Sequence, residues 1–458
     1  MYDVVVIGCG PGGYAAAIRA SQLGGKAAII EGSEIGGTCV NRGCIPSKVW
    51  LRAASMLTMI SRGAEFGIKA SVDEVDFKAI VERKNGVATE IRTGMEALLA
   101  ANGVELIRGR GMVKNVREVS IDGKTVEAKN IILATGSSLD VPEIKGIKDA
   151  VMTTDQVFEM TEVPKSALVW GEAGPIDVEM AALLNALGST VCLATHHPRI
   201  LPMEDHDSSQ RLAQAFREQG IQVLTRSTLE SVKKTKKIFK TELCGRKEQS
   251  LEVEKVVIAG RKTNTADLGL EQAGVRMHED GSVWVNPKLQ TSVNGIYAVG
   301  DLTGGWMNSH AASAMAVTSA ENAMGQSNDF PFDLIPRGMW TYPQIGAVGL
   351  TEEEAEKRGF EVEVGDFPYA INGLAMGYGD VDGAVKIVME AETEEVLGIH
   401  IVGPNATELV GEAVMALQLE CTADELAHTL RVHPTFSEAI MDAARDASGW
   451  ALYLPPKG

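Results

Sequence analysis

Near the start of the chain, the apolar residues follow strand spacing, then helix spacing, then strand spacing again. Residues 3–8 form a short buried-strand pattern, residues 14–22 place apolar side chains at helical spacing, and residues 26–31 form a second strand pattern. A strand, a helix and a strand in this order predict a β-α-β unit, which builds a parallel sheet. The chain therefore opens as an α/β protein.

A later part of the chain, from residue 167, repeats this succession, and the pattern then changes. A buried-strand pattern at 167–170 leads through a helix to a strand at 190–194, and a further strand follows at 256–258. An alanine-rich helical stretch at 310–324 precedes the proline-containing segment 329–336, after which strand and helix patterns continue to the end. The pattern predicts two doubly wound units and a separate C-terminal region.

The length and charge of the chain limit its architecture and its partners. With 458 residues it exceeds one ordinary core, so several domains are expected. The formal net charge of −18 disfavours nucleic acid and anionic membranes as partners. The sequence has neither an apolar run long enough to span a bilayer nor a signal-peptide pattern, so a cytoplasmic protein is expected.

A glycine-rich motif follows the first strand. Gly8, Gly10 and Gly13 fit the pattern G-x-G-x-x-G between a strand and a helix. Glycines here let the backbone approach a pyrophosphate, which the N-terminus of the helix then stabilises. Glu31 ends the second strand, where its carboxylate can accept a hydrogen bond from an adenosine ribose. Because strand, helix and acidic residue occur together, the motif predicts a dinucleotide site rather than a tight turn.

Cys39 and Cys44 lie close together at the start of a helical pattern, with Lys48 just beyond them. A helix N-terminus and a lysine both favour a thiolate, which is the reactive form of cysteine. Zinc would require two further cysteine or histidine ligands at suitable spacing, and none is nearby. The pair therefore predicts redox chemistry, and no metal site is predicted.

His433 stands five residues before Glu438 in the segment HPTFSE. A carboxylate that holds one ring nitrogen makes the imidazole more basic, which suits it to take a proton from a thiol. His433 and Glu438 are therefore candidates for a general base and the residue that orients it.

These motifs make the chain similar to the pyridine nucleotide–disulfide oxidoreductases, and most similar to their dihydrolipoamide dehydrogenase branch. The resemblance covers essentially the whole chain and keeps the motifs in one order. It is carried by GCGPGG at 8–13, GGTCVNRGCIPSK at 36–48, ATG at 134–136, AGRKTNT at 259–265, GIYAVGD at 295–301, AVGLT at 347–351, LGIHIVGPNATEL at 397–409 and HPTFSEA at 433–439.

The resemblance implies two Rossmann-like, glutathione-reductase-type dinucleotide-binding domains and an α+β C-terminal dimerisation domain. The expected boundaries are an FAD-binding domain at 1–148, an NAD(P)-binding-type domain at 149–264, a central segment at 265–334 that completes the FAD domain, and a dimerisation domain at 335–458.

The resemblance also assigns FAD-binding positions. Asp301 is expected at the ribityl chain, and the turn 134–136 is expected beside the FAD-binding sheet. The residues implied for cofactor binding are Gly8, Gly10, Gly13, Glu31, Gly37, Thr38, Lys48, Thr135, Gly136, Arg261, Asp301 and His310.

The catalytic roles implied by the resemblance divide between the two cysteines. Cys44 is expected to face the flavin as the charge-transfer thiolate, and Cys39 is expected to exchange with the substrate. Lys48 is expected near the flavin ring, paired with Glu179 of the second unit.

The base is expected to come from a second subunit. The resemblance places His433, oriented by Glu438, in the active site of the opposite subunit, so it implies a homodimer with two composite sites.

The implied activity is FAD-dependent oxidation of a dithiol, namely a dihydrolipoyl group on a carrier protein, with NAD(H) as the usual partner of the flavin. Another dithiol or disulfide substrate, and a lipoyl-domain-docking subunit with weak catalysis, remain alternatives. Glutathione and trypanothione reductases fit less well, because Ser47 and Lys48 follow the lipoamide pattern. Mercuric reductase fits less well because no cysteine pair lies near the C-terminus.

The second glycine motif departs from the family pattern. Aligned on Glu179, it has Glu172 in place of the first glycine and Asp177 in place of the third, and Thr195 stands where an acidic residue would bind the NAD ribose. The segment 307–315 also lacks the glutamates common in this branch.

Two interpretations of these changes stay open. One is drift within a working NAD site of lower affinity. The other, which we take as a hypothesis, is a flavoprotein that exchanges electrons with another carrier, such as a ferredoxin, a flavoprotein or a quinone-like acceptor. Two carboxylates at a pyrophosphate site would repel the ligand.

Overall fold

The computed structural model describes residues 1–236, 238–245 and 248–456. The elements up to residue 157 are β1 (Tyr2–Ile7), α1 (Pro11–Gln22), β2 (Ala27–Glu31), α2 (Gly37–Asn41), α3 (Cys44–Ser61), α4 (Phe77–Ala101), β3 (Glu105–Arg108), β4 (Gly111–Asn115), β5 (Glu118–Ile121), β6 (Lys124–Leu133), β7 (Ser137–Leu139), β8 (Val151–Thr153) and α5 (Thr154–Val157).

The middle of the chain contains β9 (Ser166–Gly171), α6 (Pro175–Ala186), β10 (Thr190–Thr195), α7 (His206–Glu218), β11 (Gln222–Leu224), β12 (Thr228–Thr235), β13 (Ile238–Cys244), β14 (Gln249–Val253), β15 (Lys255–Ile258), β16 (Arg261–Thr263), β17 (Ile296–Ala298) and α8 (Ser309–Ala323). The remaining elements are β18 (Arg337–Met339), β19 (Gln344–Gly349), α9 (Glu352–Lys357), β20 (Val362–Pro368), α10 (Gly373–Tyr378), β21 (Ala384–Glu390), β22 (Val396–Gly403), α11 (Ala406–Gln418), α12 (Ala423–His428) and α13 (Glu438–Ala447).

The first compact unit comprises Met1–Asp140, Thr153–Glu162 and Gly260–Pro331. Its seven-stranded sheet has the order β3-β2-β1-β6-β5-β4, and β17 pairs with β6. Strands β1, β2, β3, β6 and β17 run parallel, as the β-α-β pattern predicts. The late strand β17 thus returns the chain to the sheet with which it began.

Small side chains let α1 and α8 pack closely on this sheet. Ala16, Ala17 and Ala20 are buried on α1, and α8 buries four of its alanines together with Met315, namely Ala311, Ala312, Ala316 and Ala320. Because alanine favours helix and adds little bulk, both helices can approach each other and the strands beneath them. The packing fixes where the N-terminal ends of α1 and α8 lie.

The second compact unit comprises Val141–Met152, Val163–Ala259 and Phe332–Gly458, of which residues 457 and 458 lie outside the described ranges. A five-stranded sheet has the order β11-β10-β9-β15-β8, and β12, β13 and β14 form an antiparallel sheet. A second five-stranded sheet, β18-β19-β22-β21-β20, is antiparallel and packs against α11 and α13. The four predicted domain boundaries stay predictions.

Among the helices of the described ranges, none combines the length and apolar character needed to cross a bilayer.

A buried lysine joins the nucleotide-type part of the second unit to its antiparallel sheet. Lys386 of β21 has a side chain only 2% exposed, and its Nζ lies 3.1 Å from Asp205 and 2.7 Å from Asp207 at the start of α7. It also lies 2.5 Å from Glu352 of α9. Burying an ammonium group is unfavourable unless it is paired, and here three carboxylates compensate it.

Replacing Lys386 by methionine should destabilise the protein strongly. The substitution keeps the apolar stem but leaves the buried carboxylate of Asp205 without its cation, so we expect the free energy of unfolding to fall by about 3 kcal/mol or more. Urea denaturation followed by tryptophan fluorescence measures this change. The exposed Lys357→Met on α9 is the matched control, and equal midpoints for the two variants would contradict the assigned role of the ion cluster.

Candidate active site

The glycines between β1 and α1 form a turn that no side chain could enter. Gly8 has a φ of +102°, and a β-carbon at Gly13 would lie 1.8 Å from the carbonyl oxygen of Gly8. Gly37 also approaches this turn, because its β-carbon would lie 2.9 Å from the α-carbon of Gly10. Helix α1 begins at Pro11, and no side chain caps its N-terminus. Pro11 has no amide hydrogen and the amide of Gly13 donates to the carbonyl of Gly10, so the amides of Gly10 and Gly12 are the ones left for an anionic ligand.

Glu31 lies at the end of β2, beside the glycine turn. Its carboxylate accepts hydrogen bonds from the backbone nitrogen of Cys9 at 2.7 Å and from that of Ser33 at 2.6 Å. These two contacts hold the carboxylate against the loop that the sequence predicts to bind a nucleotide. The geometry agrees with the predicted ribose contact, which itself stays a prediction.

Arg261, Asp301 and Thr38 are brought together by a residue that the sequence analysis did not anticipate. Ser137 accepts a hydrogen bond from Nε of Arg261 at 2.7 Å, and its hydroxyl donates to the carboxylate of Asp301. Nη2 of Arg261 also donates to the carbonyl of Ser137 at 2.7 Å and lies 3.4 Å from the hydroxyl of Thr38. Ser137 directly follows the motif ATG, which is the one signal that could have found it.

The turn 134–136 is anchored by Asn264 in the same way. The hydroxyl of Thr135 donates to the carbonyl of Asn264 at 2.9 Å, and the amide of Asn264 donates to the carbonyl of Thr135 at 2.9 Å. The backbone nitrogen of Asn264 donates to the carbonyl of Gly136. Two distant motifs, ATG and AGRKTNT, are thereby joined at one edge of the first unit.

The two cysteines lie on consecutive helices. Cys39 belongs to the short helix α2, and Cys44 is the first residue of the 18-residue helix α3. Both are thiols, and they hydrogen-bond to each other. The Sγ of Cys44 lies 3.0 Å from the hydroxyl of Ser309, the first residue of α8. The helical pattern of the sequence predicts a start near residue 46, whereas α3 begins two residues earlier, at Cys44.

The surroundings of Cys39 raise the pKa of its thiol. The hydrogen bond to Cys44, burial and the charge of Cys44 raise the pKa of Cys39, while Ser309 and the nearby Lys48 act in the opposite direction. Together these contacts disfavour the thiolate form of Cys39. Tyr14 is a further neighbour, because burial and then the charge of Cys39 raise its pKa.

His433 and Glu438 form the predicted pair. Nδ1 of His433 lies 2.8 Å from Oε1 of Glu438, and Oε2 of Glu438 accepts from the backbone nitrogen of Thr435 at 2.7 Å. The carboxylate is largely buried, whereas the imidazole is 78% exposed. The ring is thus oriented within its own chain and presents Nε2 outwards.

The remaining predicted residues lie on named elements. Lys48 is one turn into α3, and His310 is the exposed second residue of α8. Glu179 is buried on α6 and accepts a hydrogen bond from the backbone nitrogen of Trp340 at 3.0 Å. The pairing of Lys48 with Glu179 stays a prediction.

The second glycine motif differs from the first in how its helix begins. Asp177 is buried at the first turn of α6, and its carboxylate accepts from the backbone nitrogen of Gly174 at 3.1 Å. A β-carbon at Gly171 would lie 3.2 Å from this carboxylate, whereas one at Gly174 would meet open space. Ala173 adopts a φ of +48° in the same loop. The helix N-terminus is therefore capped by the chain's own anion.

The position that would contact the ribose in the second unit also lacks its usual carboxylate. Thr195 ends β10 and is fully buried, and its hydroxyl accepts from the backbone nitrogen of His197 at 3.2 Å. A threonine in this position offers no carboxylate to a ribose, in contrast to Glu31 in the first unit.

Asp177 should make stability depend on pH. Burial raises its pKa to about 6, the hydrogen bond from Gly174 opposes this rise, and the charge of Glu172 adds to it. Because the folded state binds this proton more tightly than the unfolded state, ionisation lowers stability as the pH rises from about 4 to about 6. Over this interval, the free energy of unfolding of Asp177→Asn should therefore rise by up to about 3 kcal/mol relative to that of the parent protein.

Thermal unfolding between pH 4 and pH 7 measures this gain. Asp73→Asn, at an exposed position of the loop before α4, controls for the general loss of one negative charge. If the difference in stability between Asp177→Asn and the parent is the same at every pH, the raised pKa of Asp177 is contradicted.

Comparison with known proteins agrees with this arrangement. The family model of the pyridine nucleotide-disulphide oxidoreductases matches residues 2–316, and that of the family's dimerisation domain matches residues 335–444. A dihydrolipoyl dehydrogenase from Thermus scotoductus is 38% identical over 460 residues, covering 99% of each chain.

Two solved structures are similar over nearly the whole chain. LpdA from Mycobacterium tuberculosis has a TM-score of 0.87 and 27% identity, and the match covers 96% of this chain and 99% of LpdA. The HOCl-induced flavoprotein disulfide reductase RclA from Escherichia coli has a TM-score of 0.83 and 26% identity, covering 96% of this chain and 98% of RclA. The chain therefore belongs to the pyridine nucleotide-disulphide oxidoreductase family, the FAD- and NAD(H)-using flavoenzymes with two nucleotide-binding folds and a dimerisation domain.

Proposed function

We propose that this enzyme oxidises dihydrolipoyl groups through the cysteine pair Cys39–Cys44 and FAD. The observation that carries the proposal is the position of the pair: Cys44 is the first residue of α3 and Cys39 lies on the preceding helix α2, in the unit that contains the glycine turn between β1 and α1. Full-length relatives that are 34–38% identical are named dihydrolipoyl dehydrogenases, which supports the same substrate.

The first unit fits FAD. Substituents on Gly8 or Gly13 would collide with the backbone, and the uncapped N-terminus of α1 leaves amides for a pyrophosphate. We assign Glu31 to the adenosine ribose and the network of Arg261 and Asp301 to the remainder of the cofactor. When bound, FAD accepts an electron pair from the cysteines and delivers it to the terminal acceptor.

The thiol chemistry follows from exchange at sulfur. In the oxidised enzyme Cys39 and Cys44 share a disulfide. One substrate thiol loses its proton to His433 and attacks Sγ of Cys39, which breaks the disulfide and releases Cys44 as a thiolate. The second substrate thiol then attacks the mixed disulfide, frees Cys39 and leaves as the cyclic disulfide. Two electrons have passed from substrate sulfur to the cysteine pair.

The base in this scheme belongs to the partner subunit of a homodimer. The match of residues 335–444 to a dimerisation domain supports the dimer. His433 is mostly exposed in the single chain but held by Glu438, as expected for a side chain that completes a site on another copy. We infer a lipoyl group on a carrier protein as the substrate, since the family branch acts on that chemistry.

Replacing His433 by glutamine should disable the thiol half-reaction and spare the fold. Without the base, we expect kcat with dihydrolipoamide and an artificial dye as acceptor to fall by about 10²–10⁴-fold. The residual rate should rise with pH, because hydroxide then deprotonates the substrate thiol.

The control for this experiment is His428→Gln, an exposed histidine of the same C-terminal region. Flavin content and gel filtration establish that both variants retain FAD and the dimer. A kcat for His433→Gln within about twofold of the parent would contradict the role of the base. Equally fast oxidation by the parent of a dithiol unrelated to dihydrolipoamide would favour the alternative dithiol or disulfide substrate.

The electron acceptor is a separate proposal. The family uses NAD(H), yet Glu172, Asp177 and Thr195 do not fit a dinucleotide, because α6 is capped internally and the loop carries negative charge. We propose that this enzyme uses NAD+ poorly and passes electrons to another carrier, such as a ferredoxin, a flavoprotein or a quinone-like acceptor.

Restoring the two glycines should restore NAD+ use. In stopped-flow experiments with EDTA present, enzyme reduced by dihydrolipoamide should show no saturable reoxidation by micromolar NAD+ but rapid reoxidation by a dye. The double variant Glu172→Gly/Asp177→Gly should lower the half-saturating NAD+ concentration by at least about tenfold, because it removes both carboxylates.

The matched control is Asp73→Gly/Glu74→Gly, which makes the same change of charge at an exposed loop of the first unit. Rapid, saturable reoxidation of the parent enzyme by micromolar NAD+ would refute the proposal and leave an ordinary NAD-dependent enzyme.

A further inference from the structure

Three ligand-type side chains meet at the carboxyl end of the parallel sheet of the second unit. Strands β9 and β10 are parallel neighbours, and their last paired residues are Gly171 and Thr195. Glu172 follows one strand, and His196 and His197 follow the other. Because the strands end in register, a carboxylate and two imidazoles emerge side by side.

The distances within this cluster are those of one small site. Nε2 of His197 lies 2.6 Å from Oε2 of Glu172, and Nε2 of His196 lies 3.7 Å from the same oxygen. One ligand atom from each of the three residues lies within 4.8 Å of the other two. The imidazole centroids are 4.0 Å apart.

The backbone that carries the two histidines is held by the neighbouring segment 226–227. The carbonyl of His197 accepts from the backbone nitrogen of Arg226 at 2.8 Å, and the carbonyl of Thr195 accepts from that of Ser227 at 2.8 Å. The hydroxyl of Thr195 accepts from the nitrogen of His197. These hydrogen bonds hold the segment that carries the two imidazoles. A ligand therefore binds without first having to order this segment.

The charge and accessibility of the cluster suit a cation. Within residues 1–236, 238–245 and 248–456, the ion pairs of Glu172 are with His196 and His197, so neither lysine nor arginine neutralises it. The carboxylate of Asp177 lies close enough to feel its charge. Side-chain exposures of 68% for Glu172, 44% for His196 and 28% for His197 leave the site open to solvent.

We propose that Glu172, His196 and His197 bind a divalent transition-metal cation of the Zn²⁺, Cu²⁺ or Ni²⁺ class. Two imidazoles and one carboxylate are ligands that these ions prefer over the all-oxygen sets of Mg²⁺ and Ca²⁺. Bonds of about 2.0–2.2 Å in a tetrahedral site separate ligands by about 3.4 Å. To reach this spacing, the distance from Oε2 of Glu172 to Nε2 of His197 must increase and the distance to Nε2 of His196 must decrease slightly. The exposed carboxylate permits both changes.

The three ligands leave at least one coordination position for water or another ligand. The site lies at the end of the second nucleotide-type fold, with Glu172 in the place of the first glycine of the dinucleotide motif. The proposal goes beyond the proposed function and does not depend on it, since metal binding requires neither the cysteine pair nor the flavin. The spacing around Cys39 and Cys44 predicts no metal site, whereas Glu172 and the two histidines come from two separate loops.

Metal binding is tested on the full-length, FAD-loaded protein with the cysteine pair oxidised, so that no free thiol of the pair competes. After treatment with EDTA and its removal, Zn²⁺ is titrated against a chromophoric chelator. We expect one Zn²⁺ per chain, and at least about tenfold weaker binding in His196→Ala, His197→Ala and Glu172→Gln. The exposed His278→Ala of the first unit should bind as the parent does.

The electron paramagnetic resonance spectrum of bound Cu²⁺ supplies an independent readout of the ligands. The parent protein should show coupling to two nitrogens, and each single histidine variant should show one. Circular dichroism establishes that the variants fold. Unchanged Zn²⁺ stoichiometry and affinity in His196→Ala/His197→Ala, or no stoichiometric binding by the parent, would overturn the proposal and leave an ordinary ion pair.

Discussion

Gly13 and Gly8 lie in such close contact that helix α1 packs directly on the end of β1, and a single methyl group at Gly13 would break this contact. The rest of the first unit depends on it. The close approach aims the uncapped N-terminus of α1 out of the sheet and lets α8 pack beside α1. Helix α8 in turn delivers Ser309 to within 3.0 Å of Cys44. The glycine turn and the reactive thiols are thus linked through the packing of α1 against α8.

The same chain contains a second version of the motif in which that contact is impossible. Asp177 occupies the position of Gly13, and its buried carboxylate takes over the amide of Gly174. In the first unit the amides at the helix N-terminus are left for a phosphate, and in the second unit the protein supplies the anion itself. The two folds share strand, proline and helix, so the difference at the helix N-terminus follows from Asp177, one side chain in place of a hydrogen atom.

Much of this architecture could be predicted from the sequence. The strand patterns at 3–8 and 167–170 correspond to β1 and β9, and the predicted partnership of His433 and Glu438 is present at 2.8 Å. These predictions succeeded because they rest on local periodicity or short spacing. The family assignment succeeded because many motifs occur in one order.

Contacts between distant segments could not be predicted in this way. Ser137, Asn264 and Ser309 are small polar residues without a local signature, and each acquires its role from a segment more than a hundred residues away. The meeting of Glu172 with two histidines depends on the register of β9 and β10, which a hydrophobic pattern does not specify.

The open space around Gly174 has a consequence for how this fold can change over evolutionary time. Where a helix end must receive a phosphate, a side chain added to the loop obstructs the ligand. Because Asp177 bonds to the helix end from within the chain, a side chain at Gly174 would collide with neither backbone nor such a ligand. The loop of the second nucleotide fold can therefore accept new side chains, whereas Gly8 and Gly13 of the first leave no room for one.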